Sequence, residues 1–146
     1  MKTKGIQISD KKNNLVSVEL PDILVEISEG NSLNWSILYL YAVGHLDLNQ
    51  SMPNFEEQIR NSNKGFLISW DDLNKLSKQF WDLIDITIIG CKDKILIKRY
   101  ENDEEMYQKC DIVIEMIDSG YWQIFSRDPK LINKLLKKFK KTKIID

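Results

Sequence analysis

Histidine and cysteine, two residue types that often carry out chemistry in proteins, are scarce in this 146-residue chain. The only histidine is His45, which stands in Gly44-His45-Leu46-Asp47, where a predicted strand gives way to a loop. A general base or metal ligand needs partners that orient it, and Asp47 is the one carboxylate close by in sequence. No second histidine exists to complete a metal site. The sequence therefore predicts an ordinary loop histidine.

Cys91 and Cys110 are the only cysteines. A nucleophilic cysteine needs a neighbouring cation or a helix N-terminus that lowers the pKa of its thiol. Lys92 and Lys109 are adjacent in sequence, but adjacent side chains of a strand point to opposite faces. Two cysteines also make no disulfide scaffold for a domain of this size. We expect free, reduced and partly buried thiols.

Carboxylates are plentiful, and the densest run is Glu101-Asn102-Asp103-Glu104-Glu105. Calcium loops space their acids around a glycine, which this run lacks, so we predict a solvated loop or a helix start. The sequence indicates no metal and no cofactor. An enzyme would have to take its acid–base pair from carboxylates such as Asp71, Asp72, Asp82 or Asp85, and helix capping already explains several of these. We therefore do not expect an enzyme.

The net charge of −1 hides a strong segregation of charge along the chain. Seven acids face one base from residue 13 to 60 and again from residue 101 to 118, whereas eight bases face one acid from residue 127 to 143. Such segregation creates local fields that steer partners. The lysine-rich end could contact phosphates, but its one aromatic residue, Phe139, falls in the buried stripe of a predicted helix. We expect a solvated helix face and no nucleic-acid partner.

The elements that must position these residues indicate a single α+β domain over residues 1–146. We expect a mainly antiparallel sheet with helices packed on one face and a C-terminal helix closing the domain. Pro21–Ile27 suits a short helix, and a strand fits it nearly as well. Strands are predicted at Ile6–Ile8, Trp35–Ala42 and Gly65–Ile68, and helices from Asn54 to about Ser62, from Ser69 to Trp81 and from Asp128 to Phe139.

Two hairpins are predicted in the second half. The first pairs residues 84–90 with residues 95–100 across a turn at Lys92-Asp93. In the second, a two-residue loop at Ser119-Gly120 would mix polar and apolar residues on the inner face. A three-residue loop at residues 118–120, with glycine supplying a positive φ, sets Met116 opposite Trp122 and collects the apolar residues on one face. The second register should therefore prevail, with Trp122 hidden and Phe125 on the reverse side.

The reverse side of the sheet is the candidate site. Aromatic side chains mixed with carboxylates provide rigid contact area and complementary charge for a basic protein partner. The alternative is that other elements cover this face. If it is open, changing Asp111 and Glu115 to lysine should weaken binding without unfolding the domain. The candidate partner-binding residues are Asp111, Glu115, Tyr121 and Phe125, with Asp85 and Tyr100 joining them if the two hairpins are neighbours.

The segment Asp118–Asp128, followed by Leu131–Leu135, resembles the end of many small bacterial α+β proteins in which an aromatic strand leads into a closing helix. Some of those resemble immunity proteins that neutralise toxins of interbacterial competition. The resemblance covers only the C-terminal part, and no functional residue carries over because immunity families share no site motif. It implies that an acidic face occludes the basic active site of a nuclease-like toxin.

Composition bears on the compartment and on the second functional hypothesis. No apolar run approaches the roughly 18 residues that span a bilayer, and the basic stretch Met1–Gln7 has no apolar signal region behind it. We expect a cytoplasmic protein with no membrane partner. Heavy use of isoleucine, lysine and asparagine suggests an AT-rich, bacterial genome. The alternative function is a small-molecule-binding or structural accessory protein, which a deep apolar cavity between sheet and helices would favour.

Overall fold

Long runs of β-branched and aromatic residues build one large antiparallel sheet in a computed structural model that describes residues 3–47 and 49–145. Met1 and Lys2, where the predicted basic N-terminus begins, lie outside the described residues. The seven strands are ordered β5-β4-β6-β7-β8-β1-β9, and β2 and β3 form a separate hairpin. The strands are β1 (Lys4–Ile8), β2 (Lys11–Lys12), β3 (Leu15–Val16), β4 (Asn34–Gly44), β5 (Phe66–Ile68), β6 (Phe80–Cys91), β7 (Ile112–Ile117), β8 (Tyr121–Ser126) and β9 (Thr142–Ile145).

Helices connect the strands, which confirms the α+β class. The segment that fitted either a helix or a strand forms a short helix with proline in its first turn. Single 3-10 turns occur at Gly30–Ser32 and Lys94–Leu96. The helices in the described residues are α1 (Leu20–Leu24), α2 (Met52–Arg60), α3 (Trp70–Ser77), α4 (Asp103–Lys109) and α5 (Pro129–Lys138).

Side chains that accept backbone N–H groups fix where α2, α3, α4 and α5 begin. Ser69 accepts from the amide of Asp72 and Asp128 accepts from the amide of Lys130, as the sequence indicates. The start of α2 was predicted too late, because Ser51 rather than Asn54 is its N-cap. The proline in the first turn of α2 suits this earlier start, since that position needs no backbone donor.

The hairpin of β7 and β8 has the predicted register, with Met116 opposite Trp122 and Ile114 opposite Ile124. Trp122 is only 1% exposed, and its indole N–H donates to the carbonyl of Val18 at 2.7 Å. Its side chain belongs to the main core, which lies between the first face of the sheet and α1, α2, α3 and α5. The predicted source of the positive φ is wrong: Asp118 and Ser119, not the glycine, adopt it.

A second, smaller core lies on the other face of the sheet. Its buried residues are Leu38, Ile89, Cys91, Ile97, Met106, Cys110, Val113 and Phe125. Met106 comes from α4, so this helix packs on the face opposite to the other four. The prediction that helices cover a single face therefore holds for four helices and fails for α4.

The predicted hairpin of residues 84–100 is wrong. Strand β6 is twelve residues long and lies between β4 and β7, where Ile88 pairs with both Ile37 and Ile114. After Cys91 the chain leaves the sheet in a 3-10 turn, and the Asp93 side chain accepts from the amide of Ile95. Both hydrogen-bonding edges of β6 are thus occupied by long strands, so no local partner is needed.

Two ends of predicted elements also differ from expectation. Helix α3 stops at Ser77, and Phe80 and Trp81 begin β6 instead of continuing the helical stripe. At the C-terminus, α5 does not close the domain as predicted, because the chain continues beyond it into a further strand. The chain turns at Lys140 and Lys141, whose amides both donate to the carboxylate of Asp10, and then adds β9 beside β1.

Candidate protein-docking surface

Helix α4 and the segment before it cover only part of the second face of the sheet. We call the uncovered part the open half. It is formed by one side of strands β4, β6, β7 and β8 beyond α4. Its side chains are Tyr39, Tyr41, Val43, Asp82, Asp85, Thr87, Ile117 and Tyr121.

Strand register places these side chains in rows across the sheet. Tyr41 is directly opposite Asp85, and Ile117 is directly opposite Tyr121. The amide of Asp118 donates to Oδ1 of Asp85 at 2.8 Å, which draws the β7–β8 loop against β6. Residues directly opposite in antiparallel strands have Cβ atoms about 5 Å apart on one face. The aromatic and acidic groups therefore form a continuous surface.

A bulge in β4 sets the border between the covered and uncovered parts. Ile37 pairs with Ile88 and Tyr39 pairs with Thr87, so Leu38 is an extra residue in β4. An extra residue bends the strand and changes the alternation of its side chains. Leu38 consequently packs in the second core while its neighbour Tyr39 stays on the surface.

A buried hydrogen-bond network lies along this border. The hydroxyl of Tyr107, in α4, donates to Oε1 of Glu115 at 2.6 Å, and the side-chain amide of Gln123 donates to the Tyr107 oxygen at 3.1 Å. Burial raises the pKa of the Glu115 carboxyl, against the opposing effect of these hydrogen bonds. Burial and the contact with Glu115 also raise the pKa of Tyr107. The network ties α4 to two strands.

The open half is apolar and aromatic at β4 and acidic beside it. Tyr39, Tyr41 and Val43 are 42%, 51% and 49% exposed, although they follow one another on one side of a strand. Val43 pairs with Asp82, so this exposed carboxylate adds to those of Asp85 and Asp118. Tyrosine offers large contact area with few rotatable bonds, which suits a binding surface.

Two of the six predicted site residues, Asp85 and Tyr121, lie in the open half. Two others do not reach the surface: Glu115 is 5% exposed and Phe125 is 6% exposed. The ring of Phe125 stacks on Tyr107 at a centroid distance of 3.8 Å, beneath α4. Their predicted direction away from the main core is right, and for these two residues the alternative holds that another element, α4, covers the face.

Asp111 and Tyr100 have local structural partners outside the open half. Oδ2 of Asp111 accepts from the amide of Lys92 at 2.8 Å, and the Tyr100 hydroxyl donates to the carbonyl of Leu96 at 2.6 Å. The proposed change of Asp111 and Glu115 to lysine is therefore the wrong test. A lysine at the buried position 115 would disturb folding before it could report on binding.

Tyr39, Tyr41 and Val43 were missed as site residues. Their signal is in the sequence, because they alternate with Leu40 and Ala42, which are buried in the main core. Where only one face of a strand is covered, its apolar side chains alternate between buried and exposed positions. The exposed residues are aromatic or aliphatic like many core residues, so hydrophobicity alone did not separate them from the buried ones.

The residues first considered for chemistry are the two cysteines and His45. Both cysteines are free and fully buried. Contact with Cys110 and burial raise the pKa of the Cys91 thiol, which disfavours the reactive thiolate. His45 is exposed just after β4. In residues 3–47 and 49–145, no group of three or more histidine, cysteine, aspartate or glutamate side chains could hold a metal ion.

The segregated charges partly satisfy one another within the domain. Lys138 of α5 forms an ion pair with Glu26 at 2.8 Å and donates to the carbonyl of Asp22. Lys134 donates to the hydroxyl of Ser28 at 3.2 Å. The basic helix therefore faces the acidic segment that contains α1, so these two lysines are engaged within the domain.

Surface grooves flank the edge strand β5. One, of about 570 Å³, is lined by Trp35 and Trp70 together with Leu67, Lys64 and Lys94. Another, of about 620 Å³, runs between β5 and α3. Both have the volume of a small-molecule site, but they are open grooves rather than the deep cavity that the alternative function requires.

Comparisons with known proteins do not add a family. No family model matches the chain, and no curated protein and no solved structure was found to match it. The resemblance to immunity proteins therefore stays a prediction. Within the described part of the chain, no helix is both long and apolar enough to cross a membrane.

Proposed function

We propose that this protein is a cytoplasmic protein-binding module that docks a cationic surface of a protein partner on the open half. The observation that carries the proposal is the exposed row of Tyr39, Tyr41 and Val43 next to the carboxylates of Asp82 and Asp85. Soluble proteins seldom leave neighbouring aromatic and aliphatic side chains exposed on a flat sheet face without a use for them.

Elementary energetics supports this use. A few buried anchor residues, often tyrosine or tryptophan, contribute most of the energy at a typical interface and lie near its centre. The tyrosines lie on β4, an eleven-residue strand that pairs along its length with β6. Little conformational entropy is therefore lost when they bind. Carboxylates at the margin speed association with a basic partner.

We further propose that the partner is a toxin of the nuclease-like class that the C-terminal resemblance implies, and that the module acts as its immunity protein. A nuclease attracts the phosphate backbone of its substrate with basic residues. An acidic and aromatic face can occupy the same basic site and exclude the substrate. The role requires no catalytic residue of the module itself.

A small-molecule-binding role is the second candidate, and the groove of about 570 Å³ between Trp35 and Leu67 favours it. The groove has the right volume, but it is open to solvent along an edge strand. A small ligand would be fixed by buried polar groups that converge on one point. The residues that line this groove do not provide such groups. We therefore rank this function below protein binding.

Photo-cross-linking tests the proposal. Position 41 is replaced by the photoreactive residue p-benzoylphenylalanine and the protein is irradiated in a lysate of its source organism. The matched control carries the same residue at position 15, where Leu15 is 73% exposed on the separate β2–β3 hairpin. We expect one basic protein to cross-link from position 41 only, and Asp82→Lys, at an exposed carboxylate opposite Val43, to suppress the product. Identical products from both positions would overturn the proposal.

The toxin assignment has its own test. The cross-linked protein is expressed alone and together with wild-type or Tyr41→Ala module. We expect expression alone to stop growth, the wild type to restore it, and Tyr41→Ala to restore it poorly. Normal growth without the module would overturn the immunity role while leaving the docking surface in place.

A further inference from the structure

We propose that the outer edge of β5 binds an extended apolar segment of another protein as an added strand. This site is separate from the open half and does not depend on the proposed function. Strand addition uses the unpaired backbone groups of an edge strand for affinity and flanking pockets for specificity. Both features come together at β5.

The other exposed part of this sheet edge is already protected. Strand β5 pairs with residues 35–37 of β4, which leaves the later residues of β4 without a strand on that side. There, Nη1 of Arg99 donates to the carbonyl of Leu38 at 2.6 Å, and Oε2 of the buried Glu56 accepts from the amide of Ala42 at 2.8 Å. Side chains thus take the place of a neighbouring strand.

The opposite sheet edge carries the charged residues that discourage strand pairing. Strand β9 contains Lys143 and follows Lys140 and Lys141. Lysine on an edge strand is a common defence against unwanted pairing, since an added strand would have to desolvate its charge. Charge therefore protects the edge of the sheet that β9 forms.

Strand β5 lacks both kinds of protection. Its sequence is Phe66-Leu67-Ile68, with no charge and no proline, and Leu67 is 61% exposed. Among the described residues, no side chain forms a hydrogen bond with the backbone of β5, and its one strand partner is β4. An apolar edge with unpaired backbone groups is a template for another strand.

The two grooves beside β5 match the geometry of an added strand. Successive side chains of an extended chain point to opposite faces of a sheet. The groove between Trp35 and Leu67 and the groove between β5 and Leu76 of α3 share Leu67 and Ile68 at the strand between them. A segment added beside β5 would therefore lie along both grooves and contact the apolar residues that line them.

The edge is held in place before any partner arrives. Gly65, at the entrance to β5, has a φ of +73°, and a Cβ atom there would collide with the carbonyl oxygen of Ile37. The hydroxyl of Ser36 donates to the carbonyl of Lys64. A strand whose entrance is fixed in this way loses little entropy on binding.

A foreign segment fits this edge better than a second copy of the chain. In a second copy, Phe66 and Ile68 pack against their own main core, so only Leu67 would be available to reach a groove. Each groove has room for more than one side chain. Lysines and aspartates are mixed along both margins, so the segment should be apolar at its centre without a strong net charge.

Phage display of random heptapeptides tests the proposal, with wild-type protein as the target and Leu67→Lys as the counter-target. Leu15→Lys is the matched control, because it places the same charge on another exposed leucine, outside the seven-stranded sheet. We expect enriched apolar peptides that bind Leu15→Lys like the wild type and Leu67→Lys at least about tenfold more weakly in calorimetric titrations. Circular dichroism of each variant confirms that it is folded.

N-methylation of the selected peptides distinguishes strand addition from binding in a groove. Only alternate amides of an added strand pair with β5, so methylating one alternate set should weaken binding at least about tenfold and methylating the other should not. Equal tolerance of both sets would overturn the proposal, as would the absence of peptides that distinguish the wild type from Leu67→Lys. Dimerisation of the wild type that Leu67→Lys abolishes would assign the edge to a second copy and also overturn it.

Discussion

The hydroxyl of Tyr107 donates a 2.6 Å hydrogen bond to Oε1 of Glu115, and this contact joins α4 to the middle of the sheet. It lies where the covered part of the second face meets the open half. Glu115 itself is buried by the helix, whereas Tyr39, in the same cross-strand row, is exposed. The position of α4 therefore decides how much of the sheet a partner can contact.

Removing that hydrogen bond should destabilise the domain. In Tyr107→Phe, the buried Glu115 carboxyl loses its shortest partner, and we expect the free energy of unfolding to fall by about 1–3 kcal/mol. Urea denaturation measures the change. Tyr41→Phe removes the same atom from an exposed ring and should change stability by less than about 0.5 kcal/mol. Equal effects of the two variants would show that the bond does not hold α4.

The raised pKa of Glu115 predicts a dependence of stability on pH. The folded protein keeps this proton above the ordinary glutamate value of 4.5, so between that value and the folded pKa it binds more protons than the unfolded chain. The contribution of Glu115 to stability should therefore fall as pH rises through this window. Other carboxylates titrate too, so the quantity to measure is the stability difference between wild type and Glu115→Gln. We expect the free energy of unfolding of the wild type to fall relative to that of Glu115→Gln as pH increases. A difference that does not change with pH would contradict this prediction.

Arg99 should stabilise the domain at the border between the covered part of the second face and the open half. Its guanidinium donates to the carbonyls of Leu38, Ile59 and Ser62, which joins the β4 bulge to the end of α2. We expect Arg99→Met to lower the free energy of unfolding by about 2 kcal/mol. Arg99→Lys should not restore it, because a single ammonium group lacks the planar fork that reaches three carbonyls. Rescue by lysine in thermal denaturation would show that charge alone is sufficient.

Gly65 should tolerate no side chain. With a φ of +73° and the carbonyl of Ile37 in the way, Gly65→Ala should cost at least about 2 kcal/mol of stability. Gly120→Ala is the matched control. A Cβ atom there would lie 3.3 Å from its nearest neighbour, the carbonyl oxygen of Ile117, and the φ of Gly120 is not positive. We expect this change to cost less than about 1 kcal/mol in urea denaturation. Similar costs at both glycines would mean that β5 is not held as rigidly as its geometry implies.

Elements whose partners lie close in sequence were predictable. The β7–β8 register follows from alternating side chains and a short loop, and Trp122 and Phe125 point as expected. The hairpin proposed after Cys91 failed for the opposite reason. A turn at Lys92-Asp93 is locally acceptable, but pairing of β6 with the distant strands β4 and β7 buries more apolar surface.

The candidate site was half predictable. Sequence alternation identified the correct face of the sheet, and it placed Asp85 and Tyr121 there. It did not reveal that α4, only seven residues long, folds back over Glu115 and Phe125. So short a helix has too few turns for a clear apolar stripe, and its position depends on contacts with side chains such as Phe125 that are remote in sequence.

The affinity of the cross-linked partner for purified variants is the most direct test of the open half as a docking surface. Calorimetric titration would compare wild type, Tyr41→Ala and the exposed control Leu15→Ala at low and physiological salt. We expect Tyr41→Ala to weaken binding at least about tenfold, as an interface anchor should, and Leu15→Ala to leave it unchanged. Affinities that agree within about twofold for all three proteins would contradict the account.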